Sequence, residues 1–290
     1  MRLLIIGGSG LVGSNIVQEA ETNDIEVYAT HNTSPSEYTE ISLDKTDQER
    51  TKAIAEEVDP DVIIDTAAYH AVDDCETNRE HAWTVNAAGT KNAAVAASSV
   101  GAHYIYLSTD YVFLGNKSDT PYSEDDPVSP VNYYAETKYA GERASRIVSD
   151  ATILRPSVVY GLAGNNFTTW ALGELESGEE INIVNDQFST TTYAPDLAQA
   201  CVAVAKKGLT GLYHAAGPVR QSRFQFTRQL AEAFDYDPSL VTPITTEEFG
   251  QDAPRPTDGS LDSSRLYNSI EYEFRSPQTA FENMRAQNSP

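Results

Sequence analysis

A short apolar run that passes directly into closely spaced glycines does most to limit the folds open to this chain. Residues 3–6 are uninterruptedly hydrophobic, as expected of a parallel strand buried on both faces. Gly7, Gly10 and Gly13 follow at three-residue intervals, and apolar residues then recur at helical spacing. Glycine at these places permits a tight turn, close approach of a pyrophosphate and close packing of the next helix. The N-terminus therefore predicts a strand–turn–helix unit that binds a dinucleotide.

The first turn of the predicted helix completes this cofactor site. N–H groups at a helix N-terminus have no partners within the helix, so they attract an anion. We therefore expect the main chain of Leu11 and Val12 to join Gly7, Gly10 and Gly13 in binding the cofactor.

Strands and helices alternate along most of the chain. Strands are predicted at residues 3–6, 25–29, 62–64, 103–107, 152–154 and 211–214, and helices at 46–58, 76–100, about 134–148 and 195–207. This alternation predicts a parallel α/β sheet with helices on both faces, the doubly wound Rossmann type. Ligands of such a sheet bind beyond the carboxyl ends of its strands.

The residues that follow the second predicted strand bear on the choice of cofactor. In NAD-preferring folds an acidic side chain usually ends this strand and binds the ribose 2′-hydroxyl. Thr30, His31 and Asn32 stand there instead. His31 and Asn32 suit a 2′-phosphate, which favours NADP(H) and leaves NAD(H) open. Asp44 comes later and is expected either to contact the adenine end or to form a surface turn.

Acidic residues outnumber basic ones along the whole chain. There are 43 Asp plus Glu against 20 Lys plus Arg among 290 residues, a formal net charge of −23. Such a charge opposes binding to nucleic acid or to an anionic membrane. Self-repulsion on this scale is tolerable in molar salt, where the Debye length is about 3 Å. We interpret the chain as a protein of a salt-accumulating halophile; the alternative is an ordinary acidic cytosolic protein.

The sequence predicts no metal centre, disulfide or membrane segment. Cys75 and Cys201 lack the spacing of metal ligands and are expected to be reduced thiols. The apolar start is too short for a signal peptide, and no run approaches the length of a membrane span. We expect a cytoplasmic protein that binds neither nucleic acid nor membrane, with a homodimer left open.

Tyr134 and Lys138 stand one helical turn apart, in a segment expected to begin at Ser129 and Pro130. An ammonium beside a phenol favours the phenolate, so the tyrosine pKa is expected to fall from about 10. Such a tyrosine can donate a proton to a carbonyl oxygen. Taken alone, this common spacing is better explained by exposed residues of a solvated helix.

Other residues follow the predicted central strands, at the edge where ligands bind. Ala67 and Ala68 are small enough for the main chain to approach a ligand, and Tyr69 comes directly after them. Thr109 follows a later strand, where the alternative role for its hydroxyl is capping of the local backbone. Asn86 lies on the predicted helix between the two strands.

A series of motifs follows a fixed order across nearly the whole chain. They are Gly7-x-x-Gly10-x-x-Gly13, Thr66-Ala67-Ala68-Tyr69, Val85-Asn86, Ser108-Thr109-Asp110-Tyr111-Val112-Phe113, Tyr134-x-x-x-Lys138, Arg155-Pro156, Asn165-Asn166-Phe167, Val184-Asn185-Asp186-Gln187 with Thr191-Thr192, and Arg255-Pro256. Their order resembles that of the extended short-chain dehydrogenases, and more closely the dTDP-4-dehydrorhamnose reductase family. The chain departs from this family at Ser189 and Thr191, where Gly and Pro are usual, and at Ala135, where Gly is common.

The resemblance implies that the 4-keto group of a nucleotide-linked 6-deoxysugar is reduced by NAD(P)H. Tyr134 would protonate the oxygen, Lys138 would hold the nicotinamide ribose and tune Tyr134, and Thr109 would orient the carbonyl. Besides the glycine turn, the cofactor site would comprise His31, Asn32, Asp44, Ala67, Ala68, Tyr69, Asn86, Tyr134 and Lys138.

Candidate substrate ligands are Asp110, Arg155, Asn166, Gln187 and Arg255. The planar fork of Arg binds the oxygens of a diphosphate bidentately. The alternative for Arg155 and Arg255 is a salt bridge with one of the many carboxylates. Asp110 either helps to place the sugar or caps a turn.

The resemblance also implies two lobes. Residues 1–161 plus about 187–216 would form the NAD(P)-binding domain. About 162–186 plus 217–290 would form a smaller α/β lobe over the nucleotide-sugar, with helices expected at 167–175 and 224–234 and a strand at 181–184.

Three other functions share this scaffold. Sugar-nucleotide dehydratases typically carry an Asp-Glu pair after the catalytic Thr, and here Asp110 is followed by Tyr111, which argues against one. An epimerase retains NAD tightly and is redox-neutral overall. The family also resembles regulatory subunits of methionine adenosyltransferase, which bind NADP without evident catalysis. Thr109, Tyr134 and Lys138 together favour the reductase.

Overall fold

The computed structural model describes residues 1–288, and its strands alternate with helices through most of the chain. The strands are β1 (Arg2–Ile6), β2 (Glu26–His31), β3 (Ile41–Ser42), β4 (Val62–Asp65), β5 (His103–Leu107), β6 (Thr152–Arg155), β7 (Val159–Tyr160), β8 (Ile181–Val184), β9 (Phe188–Thr190), β10 (Thr192–Tyr193), β11 (Gly211–His214), β12 (Arg220–Ser222) and β13 (Val241–Ile244). Seven of them form one parallel sheet in the order β11-β6-β5-β4-β1-β2-β3.

Helices cover both faces of this sheet. They are α1 (Leu11–Thr22), α2 (Gln48–Val58), α3 (Val72–Thr77), α4 (Arg79–Trp83), α5 (Thr90–Val100), α6 (Tyr133–Ser145), α7 (Phe167–Glu176), α8 (Ala194–Lys207), α9 (Arg223–Ala233), α10 (Thr246–Phe249), α11 (Ser264–Ile270) and α12 (Pro277–Asn288). The apolar faces of α1 and α8 pack on one side, and those of α2 and α5 pack on the other. The predicted doubly wound α/β fold is confirmed.

The strand order reverses direction beside β1, which lies between β2 and β4. In parallel sheets this switch point opens a crevice at the carboxyl ends of the strands, where ligands bind. The glycine turn follows β1 and the Ala67–Tyr69 loop follows β4, so both predicted cofactor segments lie at this crevice.

A second core lies in the later part of the chain. Strand β8 pairs in parallel with β13, and helices α7, α9 and α12 pack around them. Aromatic rings fill this core, with Tyr160, Phe226 and Phe281 in mutual contact. However, α11 packs Leu266 and Ile270 into the core on the α1–α8 face of the main sheet. The predicted division of residues 162–290 between the lobes therefore stays a prediction.

Two helix predictions were wrong. The helix expected over residues 76–100 is divided among α3, α4, a π-helical turn at Thr84–Gly89 and α5. The helix with Tyr134 begins at Tyr133, because Asn132 caps it by accepting from the Ala135 N–H (2.9 Å). The N–H of Ser129 instead donates to the Val112 carbonyl, so Ser129 belongs to the segment before the helix.

Within the described part of the chain, none of the helices is long and apolar enough to pass through a membrane.

Candidate active site

The glycine turn after β1 has the geometry that a bound pyrophosphate requires. Gly7 has φ of +91°, a conformation that other residues rarely adopt. A Cβ added at Gly13 would lie 2.2 Å from the Gly7 carbonyl oxygen, so the turn and α1 pack as closely as the backbone allows. Gly10 precedes α1 without a side-chain cap, which leaves the N–H groups of Leu11 and Val12 available to an anion. These residues fit a dinucleotide.

Gly13→Ala should therefore raise the dissociation constant for NADPH by at least about 30-fold, since a backbone clash must displace the turn and a loss of about 2 kcal/mol gives that factor. The measurement is quenching of protein fluorescence by NADPH, with thermal unfolding recorded in parallel. Gly173→Ala is the control, because a Cβ at Gly173 within α7 meets nothing within 4 Å. That variant should bind NADPH normally and gain about 1 kcal/mol of helix stability.

The end of β2 keeps its predicted suitability for a 2′-phosphate. His31 is the last residue of β2, and its Nδ1 is buried without a hydrogen-bond partner among residues 1–288. Asn32 next to it is exposed. Asp44 accepts from the N–H (2.9 Å) and hydroxyl (2.8 Å) of Thr46, as in the alternative of a surface turn. Its contact with the adenine end stays a prediction.

Asn86 positions the cofactor loop and uses its own hydrogen-bonding groups to do so. Its Oδ1 accepts from the Tyr69 N–H (2.8 Å), and its Nδ2 donates to the Tyr69 carbonyl (3.0 Å) and to Thr137 Oγ1 (3.0 Å). Its side chain is buried on the π-helical turn. Asn86 thus joins the Ala67–Tyr69 loop to α6, and its predicted direct cofactor contact is replaced by this indirect role.

A buried ion pair beneath the same loop was missed by sequence reasoning. Lys45 Nζ lies 2.9 Å from the Asp65 carboxylate and donates to the Ala67 carbonyl at 2.6 Å. Both charged side chains are almost fully buried. A single Lys between polar residues gives no sequence signal for burial, because most lysines are exposed.

The predicted catalytic residues come together at the carboxyl edge of the sheet. Thr109 lies two residues beyond the end of β5. Tyr134 and Lys138 lie on one face of α6. Lys138 Nζ donates to the Leu107 carbonyl (2.6 Å) and lies 4.2 Å from the centroid of the Tyr106 ring. The Thr109 hydroxyl interacts with the Tyr134 phenol and accepts from the Tyr111 N–H at 3.2 Å. The predicted local capping role of Thr109 is thus present alongside its position in the site.

The predicted fall in the pKa of Tyr134 was wrong in direction. Burial and the nearby negative charge of Asp110 raise the pKa of Tyr134 above its usual value, and this exceeds the opposing effect of the Thr109 hydrogen bond. The Lys138 ammonium is directed at Leu107, and burial together with the charge of Lys45 lowers the pKa of Lys138 to about 7. The phenol is therefore protonated at neutral pH, as a proton donor must be.

Asp110 is a buried carboxyl group beside these residues. It is 3% exposed and accepts from Ser157 Oγ at 2.7 Å and from Thr109 Oγ1 at 3.2 Å. Burial raises the pKa of Asp110 to about 6 despite these hydrogen bonds. A small pocket, here called the inner pocket, is lined by Asp110 together with Val158, Ser189 and Gly259, so Asp110 is placed to meet a ligand.

A cleft of about 430 Å³ leads outward from this inner pocket. The pocket and the cleft share four lining residues, which are Tyr111, Gln187, Arg223 and Arg255. The outer walls carry the exposed aromatic side chains of Trp170 and Phe249, with further lining from Val72, Phe167, Asn182, Ile183, Val184 and Gln251. Large pockets with apolar walls and a few convergent polar groups are the usual form of small-molecule sites.

Arg223 is the cationic residue of the cleft that sequence reasoning missed. Among residues 1–288, its guanidinium has no ion-pair partner, and it lies 5.3 Å from the Phe167 ring centroid. Arg255 lines the same surface but pairs with Asp73 at 2.8 Å. No motif marked Arg223, because its position depends on the packing of α9 against β12 and on the bond from the Arg223 N–H to the Gln187 carbonyl.

Two predicted substrate ligands lie elsewhere and are corrected. Arg155 is 2% exposed and its Nε and one Nη bind the two Glu142 oxygens at 2.8 Å each, so this arginine is a core residue. Asn166 caps α7: its Oδ1 accepts from two helical N–H groups and its Nδ2 donates to the carbonyls of Gly161 and Ala163. The side-chain amide of Asn166 is fully used by these bonds. Arg155 Nη1 has no hydrogen-bond partner among residues 1–288, but it is buried in the core, and Arg155 is not among the described residues that line the pocket or the cleft. Gln187 and Arg255 do line the cleft.

His214 at the end of β11 should make the fold sensitive to acid. It is fully buried, and burial together with the charge of Arg155 lowers its pKa to about 3. The unfolded chain binds this proton near pH 6.5, so stability from neutral His214 is lost as the pH falls from about 6.5 toward 3. Between pH 6.5 and 4.5, the unfolding free energy of His214→Asn should decrease less than that of the parent protein, by on the order of 1–2 kcal/mol. Urea denaturation measures both decreases.

The exposed His70 provides the control for this measurement. His70→Asn should leave the pH dependence of stability as in the parent protein. Equal slopes for His214→Asn and the parent protein would show that His214 is not held neutral by the fold.

Relatives of known structure and sequence agree with this architecture. A family model described as the RmlD substrate binding domain matches residues 1–289. The chain is 36% identical over 268 residues to a dTDP-4-dehydrorhamnose reductase of Mycolicibacterium smegmatis, covering 91% of this chain and 79% of that protein. It is 33% identical over 275 residues to the methionine adenosyltransferase 2 subunit beta of Xenopus tropicalis, covering 91% and 81%.

The solved structures give the same result. A dTDP-4-dehydrorhamnose reductase from Bacillus anthracis in complex with NADP superposes with a TM-score of 0.90 at 30% identity, and 99% of each chain is covered. The family resemblance predicted from the motifs is thereby confirmed. This chain belongs to the RmlD substrate binding domain family.

Proposed function

We propose that this chain uses NADPH to reduce the keto group of a dTDP-linked sugar. The observation that carries the proposal is the meeting of Thr109, Tyr134 and Lys138 at the sheet edge. The glycine turn lies at the same edge, and the nearby cleft contains Arg223, which has no ion-pair partner among residues 1–288. The relatives named above as dTDP-sugar reductases support the substrate class. NADPH is favoured over NADH because no acidic side chain ends β2 and His31 Nδ1 has no hydrogen-bond partner within the described residues 1–288.

Tyr134 is the proton donor of this reaction. When bound, the nicotinamide supplies a hydride to the carbonyl carbon. Burial and Asp110 keep the Tyr134 phenol protonated, so it has a proton to give to the carbonyl oxygen. Thr109, whose one hydroxyl hydrogen is donated to Asp110 in the free protein, redirects it to that oxygen and orients it. Lys138 holds the cofactor ribose from the floor of the site.

The residues along the cleft determine the orientation in which the nucleotide-sugar binds. The sugar occupies the inner end beside Asp110 and Tyr111, because Asp110 is hydrogen-bonded to Thr109 and the Tyr111 ring contacts that of Tyr134. Arg223, with Arg255 and Gln187, binds the diphosphate at the point where pocket and cleft join. The base lies outermost against Trp170 and Phe249, because flat aromatic rings stack well on nucleobases.

The finer identity of the reaction follows from the family resemblance. The substrate is a 4-keto-6-deoxysugar of the dTDP-4-dehydrorhamnose type, and the product is the corresponding hydroxy-sugar. We place the reaction in the cytoplasm and leave a homodimer open. The acidic surface, with a net charge of −23, is an adaptation to molar salt.

The test is oxidation of NADPH and of NADH in molar KCl, followed by loss of the absorbance of the reduced nicotinamide. Rapid oxidation that requires the dTDP-4-keto-6-deoxysugar and is faster with NADPH is the expected result. Sugar conversion without net cofactor oxidation would indicate an epimerase.

A regulatory role is the second candidate, because of the 33% identity to a methionine adenosyltransferase subunit. Its signature would be NADPH binding without turnover, together with co-purification of a methionine adenosyltransferase.

A further inference from the structure

Lys45 is the most completely enclosed lysine outside the catalytic residues, and the mechanism above does not use it. It is 4% exposed, and its ammonium donates to both Asp65 oxygens, at 3.0 and 2.9 Å. Further donation goes to the Ala67 carbonyl (2.6 Å) and to Thr90 Oγ1 (3.2 Å). Gly89 on the π-helical turn makes room, because a Cβ there would lie 2.9 Å from the Lys45 side chain. This is a built site for one buried ammonium.

The Lys45–Asp65 pair is continuous with the floor of the catalytic site. Asp65 ends β4 and is fully buried, and its carboxylate accepts from the Tyr104 hydroxyl at 2.9 Å. Tyr106, two residues further along β5, pairs in register with Asp65. Lys138 Nζ lies over the Tyr106 ring at 4.2 Å. A short path of packed side chains therefore joins the two lysines.

We propose that Lys45 is a positioning residue of the active site, whose ammonium fixes the cofactor loop at Ala67 and acts electrostatically on Lys138. The first effect rests on a direct hydrogen bond between Nζ and the carbonyl oxygen of the loop. The second rests on two like charges enclosed in the same low-dielectric region, where screening by salt is weak. That Lys45 serves an active site rests on the proposed function, whereas its effect on Lys138 does not.

Burial has the largest effect on the pKa of Lys138, and three charged groups on the elements around it act on it as well. Lys45 lowers the pKa of Lys138, and Asp65 and Glu142 raise it, with the effect of Lys45 larger than that of Asp65. Tyr134 one turn earlier on α6 is neutral over the range concerned, because its pKa is raised. Burial lowers the pKa of Lys138 further, to about 7 in all. Removing the charge of Lys45 must therefore make Lys138 a stronger base.

The test follows Lys138 directly by NMR of protein labelled at lysine ¹³Cε. The chain has seven lysines, so the spectrum is simple, and the signal absent from Lys138→Arg identifies Lys138. We expect a titration midpoint near pH 7 in the parent protein. Lys45→Met should move the midpoint upward by about one pH unit, because it removes a like charge that lowers the pKa of Lys138 in a region of low effective dielectric.

Two further variants separate charge from packing. Lys45→Arg keeps the charge and should leave the midpoint of Lys138 nearly unchanged. Lys45→Met with Asp65→Asn leaves no buried charge unpaired, so it tests the proposal even if the single variant fails to fold. In this double variant the titration midpoint of Lys138 should rise, but by less than in Lys45→Met, because the opposing effect of Asp65 is also removed.

Loss of the hydrogen bond to Ala67 should weaken NADPH binding by about 10- to 100-fold in Lys45→Met, and this is measured by fluorescence quenching. Two results would overturn the proposal. One is a Lys138 midpoint that is unchanged in both variants that contain Lys45→Met. The other is a Lys138 midpoint in the parent protein that is already as high as that of an exposed lysine. A shifted midpoint in a protein that reduces no keto-sugar would contradict the proposed function and leave the coupling of the two lysines standing.

Discussion

Tyr134→Phe should lower the turnover of the keto-sugar by about 10²–10⁴-fold, the usual contribution of a positioned proton donor. The substitution removes only the hydroxyl, and the ring keeps its edge contact with Tyr111 at 6.1 Å between centroids. NADPH binding should therefore stay nearly normal, because the glycine turn and Lys138 are untouched. Steady-state oxidation of NADPH with the sugar, beside the dissociation constant for NADPH, measures both quantities.

Tyr133→Phe is the matched control for this prediction. Tyr133 is the neighbouring residue of α6, but its ring lies under the Arg79 guanidinium at 4.6 Å, on a different face of the helix from Tyr134. This variant should keep turnover within about twofold of the parent protein. Full activity in Tyr134→Phe would show that another group supplies the proton; Asp110, whose raised pKa of about 6 leaves part of it protonated, is then the first candidate.

The architecture was predictable because its signals are local and periodic. The buried strand before Gly7, Gly10 and Gly13 was readable from residue types alone, and the parallel sheet followed from the alternation of strands and helices. Helix boundaries were less predictable, as the π-helical turn around Asn86 shows. That turn depends on hydrogen bonds from Asn86 to Tyr69, which is distant in the sequence, and no local pattern encodes such contacts.

The chemistry of the site was predictable in residue identity and less so in electrostatics. Spacing placed Tyr134 and Lys138 on one helix face, but it gave no information on burial. Burial reversed the expected direction of the Tyr134 pKa, and it turned Arg155 from a substrate candidate into the partner of Glu142. Arg223 was missed for the same reason, since which arginine remains unpaired depends on where the carboxylates fall in three dimensions.

Arg223→Met should lower kcat/KM for the nucleotide-sugar by about 30-fold or more. The guanidinium faces the cleft without a carboxylate partner among the described residues, so its charge is available to a diphosphate. Truncating one side of a desolvated, hydrogen-bonded charge pair costs about 2 kcal/mol or more, which is about 30-fold in affinity. The change should appear mainly in KM and in the affinity for dTDP, because Arg223 does not touch the reacting carbonyl.

Arg228→Met separates this effect from a general loss of positive charge on α9. Arg228 is one turn further along the same helix, but it is exposed and pairs with Glu232 at 3.7 Å, so its removal should leave kcat/KM within about twofold. Both variants are compared at the same KCl concentration, since salt screens an exposed charge more than an enclosed one. Equal kcat/KM values for the two variants would place the diphosphate elsewhere. Arg255 would then be the remaining cleft arginine, and binding of the diphosphate would have to displace its ion pair with Asp73.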